Sequence, residues 1–462
     1  MDRRRLSREL SHHENASNQG VFLVTNNSHS IEHVELSAIK LRERHWRNNP
    51  TRQIDEAARQ LERTGQVVEP PLLNSENRVV CGNAIVQAAK KLKWSQIPIL
   101  RVSNMTPDEL RLYAINAHKL NDLGRYDDAL LAEELRELDR LLGEDALANI
   151  AIEEGELTRL LGLGALPEEA PDAVPDGDQM PVITQPGDLW TFGDAHRMLC
   201  GNSLEASSYD ILMEGKRAQF GLVDPPYNIS MTTISSDPGR EEFAFAHGEM
   251  SPNEFTRFLT TVMREMKGVS EDGSLHAFFM SYHYLLELLR AGTVVFGRPK
   301  AMCTWVKGQP AQGALFRSQT EQIVYFRKGD APHRNNVQLG KHGRNRTTAW
   351  HYDGMVSATS EQAELLKAHA TPKPVDMLQD AILDVTTRNG IVLDPFGGIG
   401  STMIAAHAAK RQARLIEIEP RYVDVAIRRM HKTFGLDAVR ERDGMAFSDL
   451  ERRATAQSAA AS

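Results

Sequence analysis

The sequence predicts an α/β protein with a doubly wound, mostly parallel sheet and a smaller α/β unit in front of it. From about residue 187 to residue 435, strand-like apolar runs alternate with amphipathic helical patterns. Before residue 162, a shorter series of strands and helices forms a unit of its own. A stretch rich in proline and acidic residues separates the two parts.

The larger domain owes its predicted sheet to six apolar segments, RAQFGLVD, SLHAFFMSY, MCTWVKG, EQIVYFRKG, GIVLDPF and ARLIEIEP. Helical periodicity marks MSPNEFTRFLTTVMREM, YHYLLELLRAG, KPVDMLQDAILDVT and TMIAAHAAKR between them. In the smaller unit, residues 54–65 predict an amphipathic helix that stops at Gly65. Thr106 is predicted to cap a second helix, because acidic residues follow it in the first turn.

These patterns predict the domain boundaries. Residues 1–20 and 449–462 are expected to be disordered tails, because neither carries an apolar pattern. Residues 163–186 are predicted to be a linker, since prolines alternate there with acidic residues and little apolar surface can be buried. The smaller unit then occupies residues 21–162 and the larger domain residues 187–448.

Composition excludes several classes of protein. The 462 residues include 54 Lys and Arg against 62 Asp and Glu, and a net charge of −8 excludes a uniformly basic nucleic-acid-binding arm. Cys81, Cys200 and Cys303 form no Cys-x-x-Cys pair, so we expect no disulfide framework and no metal. No apolar run reaches the ~18 residues of a membrane span, and no secretory signal is recognisable. We therefore expect a cytoplasmic protein without a membrane partner.

The first candidate site follows the strand GLVD, where the chain reads Asp224-Pro225-Pro226-Tyr227. Two consecutive prolines remove two backbone donors and fix φ, so the strand must stop in a stiff turn. The Asp224 carboxylate and the Pro225 carbonyl are predicted to accept the two hydrogens of a nucleobase amine. Tyr227 is predicted to stack on that base after it leaves the duplex. A simple turn that ends a strand is the structural alternative.

The second candidate site is the glycine-rich turn DPFGGIGST (394–402), between a buried strand and a helix. Glycines let a ligand approach the backbone closely. Met403 stands where a dinucleotide fingerprint needs its third glycine, so the turn predicts a nucleoside ligand other than NAD. Glu417, at the end of the next strand, is predicted to accept both ribose hydroxyls. Glu419 is the competing candidate, because alternate residues of a strand share a face.

Together, DPPY and DPFGGIGST resemble the motifs of S-adenosylmethionine-dependent amino-methyltransferases of DNA. The order of the two motifs resembles the permuted class called beta. The resemblance implies a Rossmann-like methyltransferase fold, S-adenosyl-L-methionine as cofactor and double-stranded DNA as partner. HATPKPVDM resembles the H-P-T-x-K-P-V segment of that class, and Gly201-Asn202-Ser203 resembles its G-D-S turn. The implied cofactor-binding residues are Asn202, His369, Thr371, Lys373, Asp394, Phe396, Gly397, Gly398, Gly400, Thr402 and Glu417.

The smaller unit resembles a ParB-like domain over about residues 30–125. The resemblance lies in IDEAARQLERTGQVVEPPLL, VVCGNAIVQAAKKL and NAHKLND. The G-H-x-R turn of that family reads Gly82-Asn83-Ala84-Ile85 here, so its histidine and arginine are missing. We therefore expect a binding or assembly module without nuclease or nucleotide-hydrolysing activity.

A basic stretch reverses the sign of the chain between the two candidate sites. Residues 298–346 hold ten Lys and Arg but only two acidic residues, Glu321 and Asp330. Lys and Arg neutralise phosphates, while Asn, Gln and Arg read base edges, so we expect target recognition at about residues 298–365. A solvated basic face is the structural alternative. The predicted DNA-binding residues are Arg317, Gln319, Arg334, Asn336, Lys341, Arg344 and Arg346.

These observations predict a site-specific DNA methyltransferase that acts on the adenine amine in a restriction-modification setting. Asp at the first position of the DPPY turn favours adenine, because the corresponding Ser is commoner in cytosine-amino enzymes. A cytosine-N4 enzyme is the alternative within the class, and an RNA methyltransferase also stays open. A partition-like DNA-binding protein with an inactive methyltransferase fold is the alternative from another class. A homodimer is compatible with each of these readings.

Overall fold

A computed structural model describes residues 31–42, 49–124, 126–142, 147, 150–162, 180–229, 248–310, 315–341, 344–353 and 373–461. The predicted tail at 1–20, the linker residues 163–179 and the cofactor candidates His369 and Thr371 lie outside the described residues. Contacts divide the chain into two units, Met1–Arg125 and Tyr126–Ser462.

In the part of the chain that the structure describes, the first unit is a four-stranded sheet in the order β1-β4-β2-β3, with three helices. Its elements are β1 (Ile31–Glu35), α1 (Thr51–Thr64), β2 (Leu72–Asn74), β3 (Val79–Cys81), α2 (Asn83–Lys91), β4 (Gln96–Val102) and α3 (Pro107–Leu123). Helix α1 ends at Gly65, which adopts a left-handed φ of 67° and donates its N–H to the Leu61 carbonyl. Thr106 caps α3 in a reciprocal capping box with Glu109, as the sequence predicts.

The second unit is built around an eleven-stranded sheet. Its strands are β5 (Leu189–Phe192), β6 (His196–Cys200), β7 (Ala218–Val223), β8 (Ser270–Met280), β9 (Ala301–Lys307), β10 (Thr320–Arg327), β11 (Ala349–Tyr352), β12 (Ile391–Asp394), β13 (Gln412–Glu417), β14 (Val439–Arg440) and β15 (Met445–Ala446). Its helices are α4 (Asp128–Leu142), α5 (Glu154–Leu161), α6 (Ala206–Met213), α7 (Pro252–Gly268), α8 (Leu285–Phe296), α9 (Val375–Val385), α10 (Ser401–Ala408), α11 (Pro420–Phe434) and α12 (Phe447–Ala461). Within the described residues, no helix is both long enough and apolar enough to cross a membrane.

The sheet is mixed, which corrects the prediction of a mostly parallel sheet. The strand order is β11-β9-β10-β8-β7-β12-β13-β6-β5-β14-β15. The central strands β8, β7, β12, β13 and β6 pair in parallel, as the alternation of strands and helices predicts. Outside this block every pairing is antiparallel except that of β9 with β11. The extra antiparallel strands come from hairpins at both edges, which alternating patterns do not distinguish from crossovers.

Helices cover both faces of the sheet, as a doubly wound fold requires. Alternate residues of β7 point to opposite faces, so Phe220 and Leu222 belong to one apolar core and Val223 to the other. The first core includes buried residues of α9, α10 and α11, and the second includes those of α6, α7 and α8. The central strands are therefore buried on both sides.

The boundary between the units differs from the predicted one at residue 162. Helices α4 and α5 belong to the second unit, because charged groups connect them to its sheet domain. The Arg388 guanidinium donates to both Asp139 carboxylate oxygens at 2.6 and 2.7 Å. Arg411, which is buried, donates to Glu154 at 2.6 Å. These partners are far apart in sequence, so helical periodicity alone does not assign the helices to either unit.

Parts of the predicted linker and of the predicted disordered C-terminal tail are packed. Asp424 accepts the backbone N–H groups of Ile183 and Thr184 at 2.7 and 3.0 Å, so the end of the predicted linker is bound to α11. The predicted tail at 449–462 is helical as far as Ala461, because α12 follows the buried Phe447. Phe447 packs edge-on against Trp190, with 5.4 Å between ring centroids. The alanine-rich sequence of α12 also has a high helix propensity.

Arg344 and Arg346, two of the predicted DNA-binding residues, lie in a segment that is anchored to α9. Arg344 donates to Asp384 at 2.6 Å and to Asp380 at 3.1 Å. Arg346 donates to Asp384 at 3.0 Å and to Asp380 at 3.2 Å. Asn336 is only 7% exposed, and its amide donates to the carbonyls of residues 383 and 386 at 2.8 and 2.7 Å. The two arginines thus pair with acidic residues of α9 that a local charge count does not reveal, and the Asn336 amide is occupied by backbone carbonyls.

Asp384→Ala should destabilise the second unit by about 2–4 kcal/mol, because it leaves the Arg344 and Arg346 guanidinium groups without the more buried of the two carboxylates they share. Urea unfolding of the full chain measures the loss. Asp330→Ala is the matched control, since the Asp330 side chain is fully exposed and lies 3.9 Å from Arg327. If Asp384→Ala unfolds at the same urea concentration as the wild type, the cluster does not anchor the segment.

Candidate active site

The two predicted sites lie side by side at the carboxyl ends of the central parallel strands. Strands β7 and β12 are parallel neighbours, with Phe220 paired to Val392 and Gly221 paired to Leu393. The turns that follow them therefore lie side by side. Strand β13 continues the parallel block beyond β12 and ends at the same edge. This edge, beyond the carboxyl ends of the strands, is where open α/β sheets bind ligands.

Asp224 is the centre of a compact network of charged side chains. Its Oδ2 accepts a hydrogen bond from the Lys373 ammonium at 2.6 Å. Its Oδ1 lies 3.0 Å from the Tyr227 hydroxyl, which also lies 2.9 Å from Glu321 Oε2. The Lys307 ammonium donates to Glu321 Oε1 at 2.6 Å. Two carboxylates and two ammonium groups thus balance their charges around one tyrosine.

Burial and these neighbours shift the acid–base properties of the network. Burial raises the pKa of Asp224, and the Glu321 charge adds to this rise while Lys373 opposes it. Burial also opposes ionisation of Glu321, but Lys373 and Lys307 hold the pKa of Glu321 at about 2. The Lys373 ammonium is favoured by Asp224 and Glu321 against the effect of burial, so the pKa of Lys373 is raised. The network therefore keeps Lys373 charged.

Asn228 fixes the turn directly after Tyr227. It is buried and adopts a left-handed φ of 54°, a conformation that Asn tolerates better than most residues. Its Oδ1 accepts the N–H groups of Gly248 and Met250 at 3.1 and 3.2 Å, and its Nδ2 donates to the Met250 carbonyl at 2.8 Å. The chain is thus returned to the site immediately before α7. Pro225 is buried beside Asp224, as expected for a stiff turn.

The glycine-rich turn is held open by Asp394. This carboxylate accepts the Phe396 N–H at 3.0 Å and the Thr402 hydroxyl at 2.6 Å. Burial raises the pKa of Asp394 to about 7. Gly400 precedes α10 with a φ of 80°, and a Cβ there would lie 2.8 Å from the Ala426 Cβ. A residue with a side chain therefore does not fit at position 400.

Glu417 faces this turn, whereas Glu419 points elsewhere. The Glu417 carboxylate accepts the Gly398 N–H at 2.7 Å and the Glu419 N–H at 2.9 Å. Burial raises the pKa of Glu417 to about 7. The Glu419 side chain instead caps α11 by accepting the Arg421 N–H. Of the two alternatives left open by spacing, the geometry favours Glu417 as a partner for a ligand at the glycine-rich turn.

Asn202 and Lys373 differ in how they fit their predicted roles. The turn that holds Asn202 lies at the end of β13, since the Gly201 N–H donates to the Glu417 carbonyl at 2.9 Å. Asn202 Oδ1 already accepts the Leu204 N–H at 3.0 Å. The side chain of Lys373, one of the implied cofactor-binding residues, contacts Asp224 and is only 4% exposed. It links the segment before α9 to the DPPY turn.

The other predicted DNA-binding residues each contact the protein itself. The contacts are Arg317 to the Pro310 carbonyl at 2.9 Å, Gln319 to the Lys307 carbonyl at 2.9 Å, Arg334 to Glu271 at 2.8 Å and Lys341 to Glu153 at 2.8 Å. Arg317, Gln319 and Lys341 are exposed, and Arg334 is partly exposed. These four side chains stay predicted DNA contacts.

Sequence reasoning missed Glu321 and Lys307. Glu321 counted only as an acidic exception in a basic stretch, although it begins an otherwise apolar strand. It joins the network because β10 pairs with both β8 and β9. An acidic residue near the start of a largely apolar strand is the one sequence signal that could have indicated the role of Glu321.

Comparisons with known proteins agree with this geometry. Residues 219–428 match the DNA methylase family. The chain is 27% identical over 255 residues to the Type II methyltransferase M2.LlaDCHI of Lactococcus lactis subsp. cremoris, covering 50% of this chain and 91% of that protein. These matches support a DNA methyltransferase of the N6/N4 family, and they do not determine the base.

Solved structures of lower similarity include the M1.HpyAVI–SAM complex and the cytosine-N4-specific PvuII DNA methyltransferase. The first is 18% identical, with a TM-score of 0.39 and coverage of 51% of this chain and 98% of that chain. The second is 16% identical, with a TM-score of 0.40 and coverage of 52% and 90%.

Proposed function

We propose that the protein methylates the exocyclic amine of an adenine flipped out of double-stranded DNA at a specific site. The observation that carries the proposal is the half-buried Asp224 carboxylate, which lies in the DPPY turn beside the glycine-rich turn that follows β12. A carboxylate there can accept a hydrogen bond from the amine. S-adenosyl-L-methionine is the cofactor supported by the methyltransferase relatives.

The residues of the two turns divide the chemistry between them. The cofactor supplies a methyl group on a positively charged sulfur, a strong electrophile. The amine lone pair is delocalised into the base, so the amine is a weak nucleophile. Hydrogen bonds from the amine to Asp224 and the Pro225 carbonyl favour a tetrahedral nitrogen and free its lone pair. Correct placement of the amine by these two acceptors would supply much of the acceleration, and the nitrogen would release one proton to solvent as it gains the methyl group.

The proposed cofactor contacts follow from the glycine-rich turn. Glu417 binds the ribose hydroxyls, and the backbone from Phe396 to Gly400 approaches the cofactor closely. Asn202, at the end of β13, lies on the same edge and accepts from the adenine amine of the cofactor. Asp394 and Thr402 maintain the shape of the turn through their mutual hydrogen bond.

The choice of adenine over cytosine rests on Asp224. A carboxylate is a stronger acceptor than the serine hydroxyl common in cytosine-amino enzymes. Cytosine N4 is the alternative base, and the same turn could bind it. We further propose that the first unit is a ParB-like binding or assembly module, and that Arg317, Gln319, Arg334 and Lys341 contribute to DNA binding in a restriction-modification enzyme.

Nucleoside mass spectrometry of DNA from cells that express the protein should reveal N6-methyladenine. Asp224→Ala should reduce the yield at least ~10²-fold, because it removes one preorganised polar contact to the reacting amine. Binding of S-adenosylmethionine, measured by calorimetry, should stay nearly unchanged. Detection of N4-methylcytosine would show that the target base is cytosine and not adenine. The absence of any methylated base would contradict the proposed activity.

Glu417→Gln should weaken cofactor binding by about 1–2 kcal/mol at pH 8, because a charged acceptor of ribose hydroxyls becomes neutral. The pKa of Glu417 is about 7 in the free protein, so the carboxylate fraction rises between about pH 6 and pH 8. Cofactor affinity of the wild type should therefore increase with pH over this range. The increase should be smaller in Glu417→Gln, although Asp394 titrates in the same range.

Glu419→Gln serves as the control for this experiment, since it removes a nearby charge without changing an acceptor at the glycine-rich turn. It should leave the pH dependence of cofactor affinity in place. If Glu419→Gln weakens binding while Glu417→Gln does not, the ribose contact belongs to Glu419.

A further inference from the structure

We infer that Glu321 is a positioning residue for methyl transfer, which holds Tyr227 and Lys373 so that Asp224 stays available to the target amine. The inference rests on the proposed function. It concerns a residue outside both sequence motifs, on a strand of the region between them. Glu321 does not touch the reacting atoms in this scheme and acts only through its neighbours.

The position of Glu321 is fixed by the sheet. It pairs with Trp305 across the β9–β10 ladder, and the Lys307 ammonium on β9 donates to its Oε1. Its side chain is 13% exposed, and its second oxygen, Oε2, faces the DPPY turn. That oxygen lies 2.9 Å from the Tyr227 hydroxyl and 3.4 Å from the Lys373 ammonium. Both partners of Oε2 are also partners of Asp224.

Tyr227 has a single hydroxyl proton and two carboxylates within reach. Its oxygen lies 3.0 Å from Asp224 Oδ1 and 2.9 Å from Glu321 Oε2, so it can donate to only one of them at a time. When it donates to Glu321, Asp224 Oδ1 is free to accept the amine hydrogen of a base. Glu321 therefore competes for a donor that would otherwise occupy the catalytic carboxylate.

Lys373 is divided between the same two acids. Its ammonium lies 2.6 Å from Asp224 Oδ2 and 3.4 Å from Glu321 Oε2. It also lies over the rings of Tyr227 and Phe279, at 5.3 and 5.4 Å from their centroids. Without the Glu321 charge, Lys373 would pair with Asp224 alone, and the amine would have to displace a stronger ion pair.

A purely structural ion pair between β9 and β10 is the competing explanation for Glu321, and the pH dependence of the reaction separates the two. The charged and titratable groups around Asp224 are Lys373, Tyr227 and Glu321, with Lys307 behind Glu321 and Asp394 in the adjacent turn. Glu321 raises the pKa of Asp224, while Lys307 offsets the Glu321 charge. Removing the Glu321 charge should therefore lower the pKa of Asp224, and removing the Lys307 charge should raise it.

The test compares Glu321→Gln and Lys307→Met with the wild type in single-turnover methyl transfer between about pH 5 and pH 9. Glu441→Gln is the matched control, because it removes one negative charge from an exposed carboxylate that pairs with Arg197 on β6 of the same sheet. Cofactor affinity, measured by calorimetry on each variant, reports whether the glycine-rich site is still folded.

In Glu321→Gln, the acidic limb of the rate profile should move down by about one pH unit. The plateau rate should fall about tenfold, which is roughly the effect of one lost hydrogen bond. In Lys307→Met, the acidic limb should move up. Cofactor affinity should be unchanged in both variants, and Glu441→Gln should follow the wild-type profile.

An unmoved acidic limb in Glu321→Gln, or movement of both limbs in the same direction, would overturn the inference. If Glu321→Gln does not fold, Lys307→Met decides alone: an upward shift supports the inference and no shift overturns it. Failure of the proposed function gives a different result, since the wild type would then transfer no methyl group to DNA at any pH.

Discussion

The parallel pairing of β7 with β12 is the constraint on which the candidate site depends. It brings together two turns that are separated in sequence by most of the second unit. One turn is stiffened by two prolines, and the other is opened by glycines. The helices on both faces bury this pair of strands, so Asp394 is buried and Asp224 half-buried at their ends, and both carboxylates have raised pKa values. Fold and chemistry are thus linked through one strand pairing.

Buried charge is the second organising feature of the unit. Three acids lie at the carboxyl ends of the central strands, and each has a specific partner. The partners are Lys373 for Asp224, the Thr402 hydroxyl for Asp394 and backbone N–H groups for Glu417. These partners differ in consequence. Lys373 favours the charged form of Asp224, whereas the donors to Asp394 and Glu417 are hydroxyl and amide groups, and burial raises the pKa of each of these two acids to about 7. The DPPY turn and the glycine-rich turn therefore differ in their electrostatic character.

Much of the central fold could be predicted from sequence, because strand patterns and turn residues are local. The segments around Asp224, Asp394 and Glu417 form the expected strands and turns. Side-chain partners that depend on distant pairing could not be predicted. Arg344 and Arg346 read as a free basic patch because their acidic partners lie on α9, and Glu321 read as an exception because strand order was unknown. Helix α12 could not be predicted, because Phe447 at its start packs against Trp190, which lies far away in the sequence.

The attachment of α4 and α5 to the sheet domain gives the proline-rich stretch a different meaning. Residues 163–179 connect two parts of one folded unit, since α5 precedes them and the strand that follows belongs to the same sheet domain. Arg411 and Arg388 hold the helices by contacts that do not depend on this connection. Cleavage within the stretch would therefore leave two fragments that stay associated. The covalent link would matter for how quickly the halves find each other during folding, rather than for how the finished domain is held together.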